Sequence, residues 1–121
     1  MDLVGRSLSD DERRVLDLLL EPDFPGVQQL RVQAASVVVT GGCGCGCPTI
    51  DLQVPRAVAP AAVTGRLCPF EAEILSAVGE ALGIVLLFLD HGRLDVLECA
   101  YYDAVSATWP ARDRLRLVAR R

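Results

Sequence analysis

The sequence contains no lysine: all twelve of its basic residues are arginine. It has one histidine, one tryptophan and one methionine. No second histidine is present to complete a triad, and Gly-x-Ser-x-Gly, a phosphate-binding glycine loop and His-Glu-x-x-His are all missing. An enzyme is therefore the least supported reading. The longest unbroken apolar run is Ile84 to Leu89, far short of the roughly 20 residues that span a bilayer. Met1 to Arg6 lacks a basic stretch followed by an apolar one, so no secretory signal is expected. The expected compartment is the cytoplasm, where thiols stay reduced, and no membrane partner is expected. Five cysteines cannot all pair within one chain, which argues against a complete disulfide framework.

What is present fits one domain over residues 1–121, with the ends at about 1–8 and 112–121 expected to be flexible. Hydrophobic residues make up 51%, which excludes wholesale disorder. The charge of −4 is unevenly placed. Residues 1–103 hold seven arginines against fifteen acids, and residues 104–121 hold five against one. A nucleic-acid binder needs its basic residues on the folded body, where they neutralise phosphates. Here only the tail is basic, so no nucleic-acid partner is expected.

Ser9-Asp10-Asp11-Glu12 reads as a capping box that opens a helix, and Pro22 stops that helix near Leu20 or Glu21. Phe24-Pro25-Gly26 opens a shorter helix with Phe24, Val27, Leu30 and Ala34 on one stripe. The period then changes. Val37 to Val39 and Thr49 to Val54 read as two strands of an antiparallel hairpin, and residues 55–69 as a crossing loop rich in proline. Phe70, Ala72 and Ile74 alternate with Glu71 and Glu73, which favours a strand over a helix, with Gly79 in the following turn. Ile84 to Leu89 is apolar on both faces and predicts a central strand covered on both sides. His91-Gly92 predicts a two-residue turn into a partner strand over Arg93 to Tyr102. The tail after Asp103 reads as loop, short helix or disorder. The expected class is α+β: two N-terminal helices packed on a mostly antiparallel sheet of about four or five strands.

One segment is chemically distinctive. Cys43, Cys45 and Cys47 are separated only by glycine and followed by Pro48. In an extended chain their sulfurs would share one side, about 6 to 7 Å apart at each step. Glycine also lets the backbone curl and bring them onto one soft ion. The metals to consider are zinc and copper(I). Zinc asks for a fourth ligand, and Cys68, Cys99, His91 or an acid would have to supply it. Two other readings stand beside the metal. Neighbouring thiols can serve redox chemistry, and a tight structural loop needs small residues of just this kind.

Glu98 is a second candidate. On its strand it is expected to share a face with Leu94, Val96 and Ala100, leaving a functional carboxylate partly buried. Tyr101, Tyr102 and Trp109 gather near the end of the sheet, where they close the core or anchor an interface. His91 reads as a turn residue, and Glu71 and Glu73 as a solvated face.

The segments Asp11–Gln33, Cys43–Val54, Val85–Asp103 and Trp109-Pro110 together resemble a group of small actinobacterial proteins with no assigned activity. The shared order is a helix, an Asp-Phe-Pro-Gly helix, a Cys-x-Cys-Gly-Cys-Pro loop and a strand pair with an Asp-Gly-Arg-Leu turn. An arginine-only composition rich in Ala, Val, Leu and Gly also suits a GC-rich genome. The match spans most of residues 9–110. It departs at His91, where an acid or glycine is usual, and across 55–69. The resemblance implies strands over 70–75 and 83–102 and transfers no site residue. By analogy alone such proteins read like immunity or accessory proteins. The leading expectation is a non-enzymatic protein-interaction or accessory domain with an unidentified protein partner or a second copy of itself. The alternative is a thiolate metal-binding or redox-active protein centred on Cys43, Cys45 and Cys47.

Overall fold

The computed structural model describes residues 5–63, 65–103 and 106–120. Helix α1 spans Asp10–Leu19 and opens as expected. The Ser9 hydroxyl accepts the Glu12 N–H at 3.2 Å, and the Ser9 N–H donates to the Glu12 carboxylate at 2.8 Å. Three acids in the first turn suit the positive end of the helix dipole. The helix ends at Leu19, with Leu20 as its C-cap and Pro22 two residues beyond. Helix α2 spans Val27–Ala34. Gly26 precedes it at φ +91°, a left-handed conformation that disfavours a side chain.

Six strands follow: β1 (Val38–Gly42), β2 (Ile50–Gln53), β3 (Phe70–Leu75), β4 (Ala81–Asp90), β5 (Arg93–Tyr101) and β6 (Leu115–Ala119). They form one sheet in the order β1-β2-β5-β4-β3-β6, and every pairing is antiparallel. The α+β class is as expected, but the sheet has six strands rather than four or five. The extra strand is β6, from the tail expected to be loop, short helix or disorder. Leu115 and Leu117 face the core while Arg116 and Val118 face outward, and β3 supplies the partner some 45 residues away in sequence. The N-terminal end is also held: Arg6 and Val39 exchange backbone hydrogen bonds at 3.0 and 2.8 Å. Of the ends expected to be flexible, Arg6 thus pairs with Val39 and residues 115–119 form β6, while residues 1–4 and 121 lie outside the described residues.

Both helices pack on one face of the sheet. Val85, Leu87 and Leu89 of β4, Leu94 and Leu97 of β5, and Ala72 and Ile74 of β3 are all within 2% of full burial there. Each fully buried leucine contributes about 2 kcal/mol by removal from water. On the opposite face Ile84, Leu86, Phe88 and Val96 are only half-buried. The expected cover on both sides of β4 is therefore present on one side alone.

The β4–β5 turn is a two-residue hairpin with His91 at φ 50° and Gly92 at φ 77°, the mirror-type geometry that matches strand twist. Gly92 also meets the backbone of Ala61, so a Cβ has no room there. Beneath this turn lies Gln33, fully buried. Its amide N–H groups donate to the carbonyls of Ala59 and Gly92 at 3.1 and 2.9 Å, and its carbonyl accepts the Leu94 N–H at 3.0 Å. One side chain thus ties α2, the crossing loop and the hairpin together.

Candidate metal centre

The loop between β1 and β2 carries the three glycine-separated cysteines. The β-ladder continues one step past the strands, with the Cys43 N–H donating to the Thr49 carbonyl at 3.3 Å. Between those anchors Gly46 takes φ +94° and the chain curls. The curl replaces the 6 to 7 Å spacing of an extended chain. Cys43 and Cys45 sulfurs lie 2.7 Å apart and Cys45 and Cys47 sulfurs 2.9 Å apart. All three lie within 4.8 Å of one another and form a group that could hold a metal ion. The N–H of Cys45 points at the Cys43 sulfur at 3.4 Å, and the N–H of Cys47 at the Cys45 sulfur at 3.5 Å. Such contacts favour sulfur carrying negative charge.

The thiols differ in acidity. Hydrogen bonds from Cys45 and then from Thr49 lower Cys47 to about 7. Hydrogen bonding with Cys43 and Cys47 raises Cys45 to about 11. At neutral pH negative charge is therefore held more readily on Cys47 than on Cys45.

Thr49 fixes the end of the loop. Its hydroxyl oxygen accepts the Cys99 N–H at 3.0 Å and sits 3.4 Å from the Cys47 sulfur. A cavity of about 250 Å³ opens beside the loop, walled by the three cysteines, Glu98, Cys99 and Tyr101. Glu98, singled out from sequence as a functional carboxylate, thus shares a cavity wall with the thiols. Its strand partners differ from expectation. A bulge between Phe88 and Leu89 turns Leu94 into the core and leaves Val96, Glu98 and Ala100 on the open face.

The other candidate ligands separate cleanly. Cys99 is buried beneath the cavity, and desolvation pushes its thiol up to about 12. Cys68 lies in the core, its sulfur 3.8 Å from the Leu19 carbonyl. Burial likewise raises it. His91 stands at the far end of β5, about 20 Å along the strand from Cys99. The aromatic trio does not form one patch. Tyr101 walls the thiol cavity, and burial raises its phenol. Trp109 lines a second, open cavity of about 570 Å³ on the other side of the loop, with Arg6, Glu12, Cys43 and Cys47. Tyr102 is 59% exposed. Among the described residues, no helix is long and apolar enough to cross a membrane.

Sequence reasoning passed over Thr49 and Gln33. Thr49 follows Pro48 at the mouth of a strand, where a hydroxyl is within reach of a neighbouring backbone. Gln33 stands at a position next to the apolar stripe of α2, and only the tertiary contact reveals its role.

Comparison with protein-family models, with curated proteins and with solved structures gives no match. The site is therefore read from its own chemistry.

Proposed function

We propose that this domain binds a soft metal ion through Cys43, Cys45 and Cys47, and that it acts as a metal-binding accessory protein rather than an enzyme. The observation that carries the reading is the convergence of three sulfurs within 4.8 Å on an exposed loop. Three thiolates around an ion at about 2.3 Å stand about 4.0 Å apart in a trigonal plane. The loop needs only small side-chain rotations to reach that arrangement, because glycine flanks each cysteine. Copper(I) fits better than zinc. It is soft and takes thiolates readily, whereas zinc asks for four ligands. Among the described residues, no fourth His, Cys, Asp or Glu lies as close as the three cysteines do to one another. For zinc, the Glu98 carboxylate on the cavity wall is a candidate fourth ligand, with a water as its substitute.

The test is elemental analysis of protein purified under reducing conditions without chelator, followed by anaerobic titration with copper(I) and zinc against a competing chelator. One equivalent of metal is expected, lost when Cys45 and Cys47 are changed to serine. Five free thiols with no metal and no uptake from either titration would overturn the reading.

The low value of Cys47, about 7, favours a second reading. Cys47 as thiolate attacks an oxidised partner disulfide, and Cys43 then displaces the partner as a dithiol, leaving a Cys43–Cys47 disulfide. Two thiols disappearing together with mild disulfide oxidant and returning with dithiothreitol, in protein that takes up no metal, is the outcome specific to it.

A further inference from the structure

We propose that the open face of the sheet is covered by a second copy of this chain, in a two-fold dimer with β4 packed along its own symmetry mate. The face is defined by register. Ile84 pairs with Ala100, Leu86 with Glu98 and Phe88 with Val96, so these six side chains stand on one side of β4 and β5. Asp51 of β2 extends the Val96 row, and Glu73 of β3 and Arg116 of β6 extend the Ile84 row. The result is an apolar stripe on β4, continued by Val96, Ala100 and Val118, with charge on both flanks.

The charge is arranged asymmetrically. Towards β2 the flank carries Asp51 and Glu98, and no ion pair holds either carboxylate among the described residues. Towards β6 it carries Arg116 and Arg120, held by Glu73 at 2.9 Å and Glu71 at 3.8 Å. A two-fold axis parallel to β4, lying between two stacked sheets, places β6 of one copy over β2 of the other and superposes the two β4 stripes. Arg120 then lies opposite Asp51, because Arg120 is level with Pro69 at the Phe88 end of the sheet and Asp51 is level with Val96. Each copy supplies each half once, and the contact forms twice, as an isologous interface requires. A foreign partner would need to match the same apolar stripe and the same charge order. The chain matches it at Asp51 and Arg120, while Glu98 comes level with the mate's Glu71, a carboxylate that Arg120 already holds.

The area is adequate. β2, β5, β4, β3 and β6, at about 4.8 Å between strands and about 3.3 Å per residue over their own lengths, offer about 540 Å² per copy. That reaches about 1,100 Å² in total, just above the roughly 1,000 Å² that a biological interface should clear. A bare β4 is also costly for a monomer, since Ile84, Leu86 and Phe88 remain partly in water. The inference stands apart from the metal reading, because no cysteine sits in the stripe.

The experiment is sedimentation equilibrium of the full chain under reducing conditions, which prevents the exposed thiols from cross-linking copies. Dimer is expected at micromolar concentration and above. Phe88→Glu points its carboxylate outward, so far-UV circular dichroism should stay unchanged while the protein becomes monomeric. Asp51→Arg and Arg120→Asp should each weaken the dimer by about tenfold through like-charge contact. The double variant should recover most of that loss. A chain that stays monomeric to the highest soluble concentration would overturn the proposal, as would a dimer indifferent to Phe88→Glu. Single charge variants whose effects simply add in the double variant would also overturn it. Changing both Cys45 and Cys47 to serine should leave the dimer intact while removing metal, so each reading can fail without the other.

Discussion

The hydroxyl oxygen of Thr49 accepts the backbone N–H of Cys99 at 3.0 Å while standing 3.4 Å from the sulfur of Cys47. One side chain therefore links the cysteine loop to the central strand and tunes the most acidic thiol of the cluster. Thr49→Val keeps the β-branched shape and removes both interactions. The Cys47 thiol should rise from about 7 towards the ordinary thiol range. The rate of iodoacetamide alkylation against pH, read at Cys47 by mass spectrometry, reports this shift. Stability should fall by about 1 to 2 kcal/mol, since the Cys99 N–H loses its partner. An unchanged alkylation midpoint would show that Cys45 alone sets the acidity of Cys47.

Glu12 lies at a crossing of three interactions. Its carboxylate takes both guanidinium nitrogens of Arg6 at 2.8 Å and the Ser9 N–H at 2.8 Å. The Arg6 hydrogen bond holds its carboxyl below the usual glutamate range, against the opposing effect of burial. A depressed carboxyl contributes stability above its unfolded value and loses it as pH falls through the folded value. Glu12→Gln should thus cost about 1 kcal/mol at pH 7, a modest figure because Arg6 is 56% exposed and screened by water. The gap between variant and parent should close as pH drops below the glutamate range. Urea denaturation at pH 7 and at pH 3 measures both ends of that window.

Gln33 gives the sharpest test of the core. Gln33→Leu fills the same space with apolar atoms and leaves the Leu94 N–H and the Ala59 and Gly92 carbonyls without their side-chain partner. The Gly92 carbonyl retains the Ala61 N–H at 2.8 Å, so the loss falls mainly on the other two groups. A cost of about 3 kcal/mol is expected, from about 1 to 3 per orphaned buried group. A loss under about 1 kcal/mol in urea denaturation would mean that water replaces the amide.

Local signals carried most of this fold. The capping box at Ser9 and Glu12, Pro22 after α1, the alternation in β2 and β3 and the His91-Gly92 turn each act over a few residues, and each is where the sequence places it. Contacts across the chain were not legible in this way. β6 is a five-residue strand whose pairing with β3 depends on a partner distant in sequence, and the arginines in and around it resemble a solvated tail. The bulge that turns Leu94 inward inserts one residue into β5 and shifts every face assignment before it. For the same reason Ile84 to Leu89 looked doubly covered: apolar composition records that a face avoids water, not which chain covers it. The site shows a similar division. Cysteine spacing marked the cluster, but only the hairpin brings Glu98 to the same cavity and keeps His91 away from it.

Proton release should accompany metal binding at the cluster, and its pH profile distinguishes a three-thiolate site from a looser one. A metal must displace the protons that the thiols hold. Between about pH 7 and 11 the Cys45 thiol remains protonated, so apparent affinity should rise with pH by at least about tenfold per unit. Below about 7 the Cys47 proton is added to the count, and the dependence should steepen by a further tenfold per unit. Competition titrations with copper(I) at several pH values give the slope. Cys45→Ser should weaken binding and remove one proton from the slope across the neutral and alkaline range. It should also move the steepening above 7, since Cys45 is the first cause of the low Cys47 value. A flat profile between pH 7 and 9 would mean that Cys45 is not a ligand, and the three-thiolate site would be overturned.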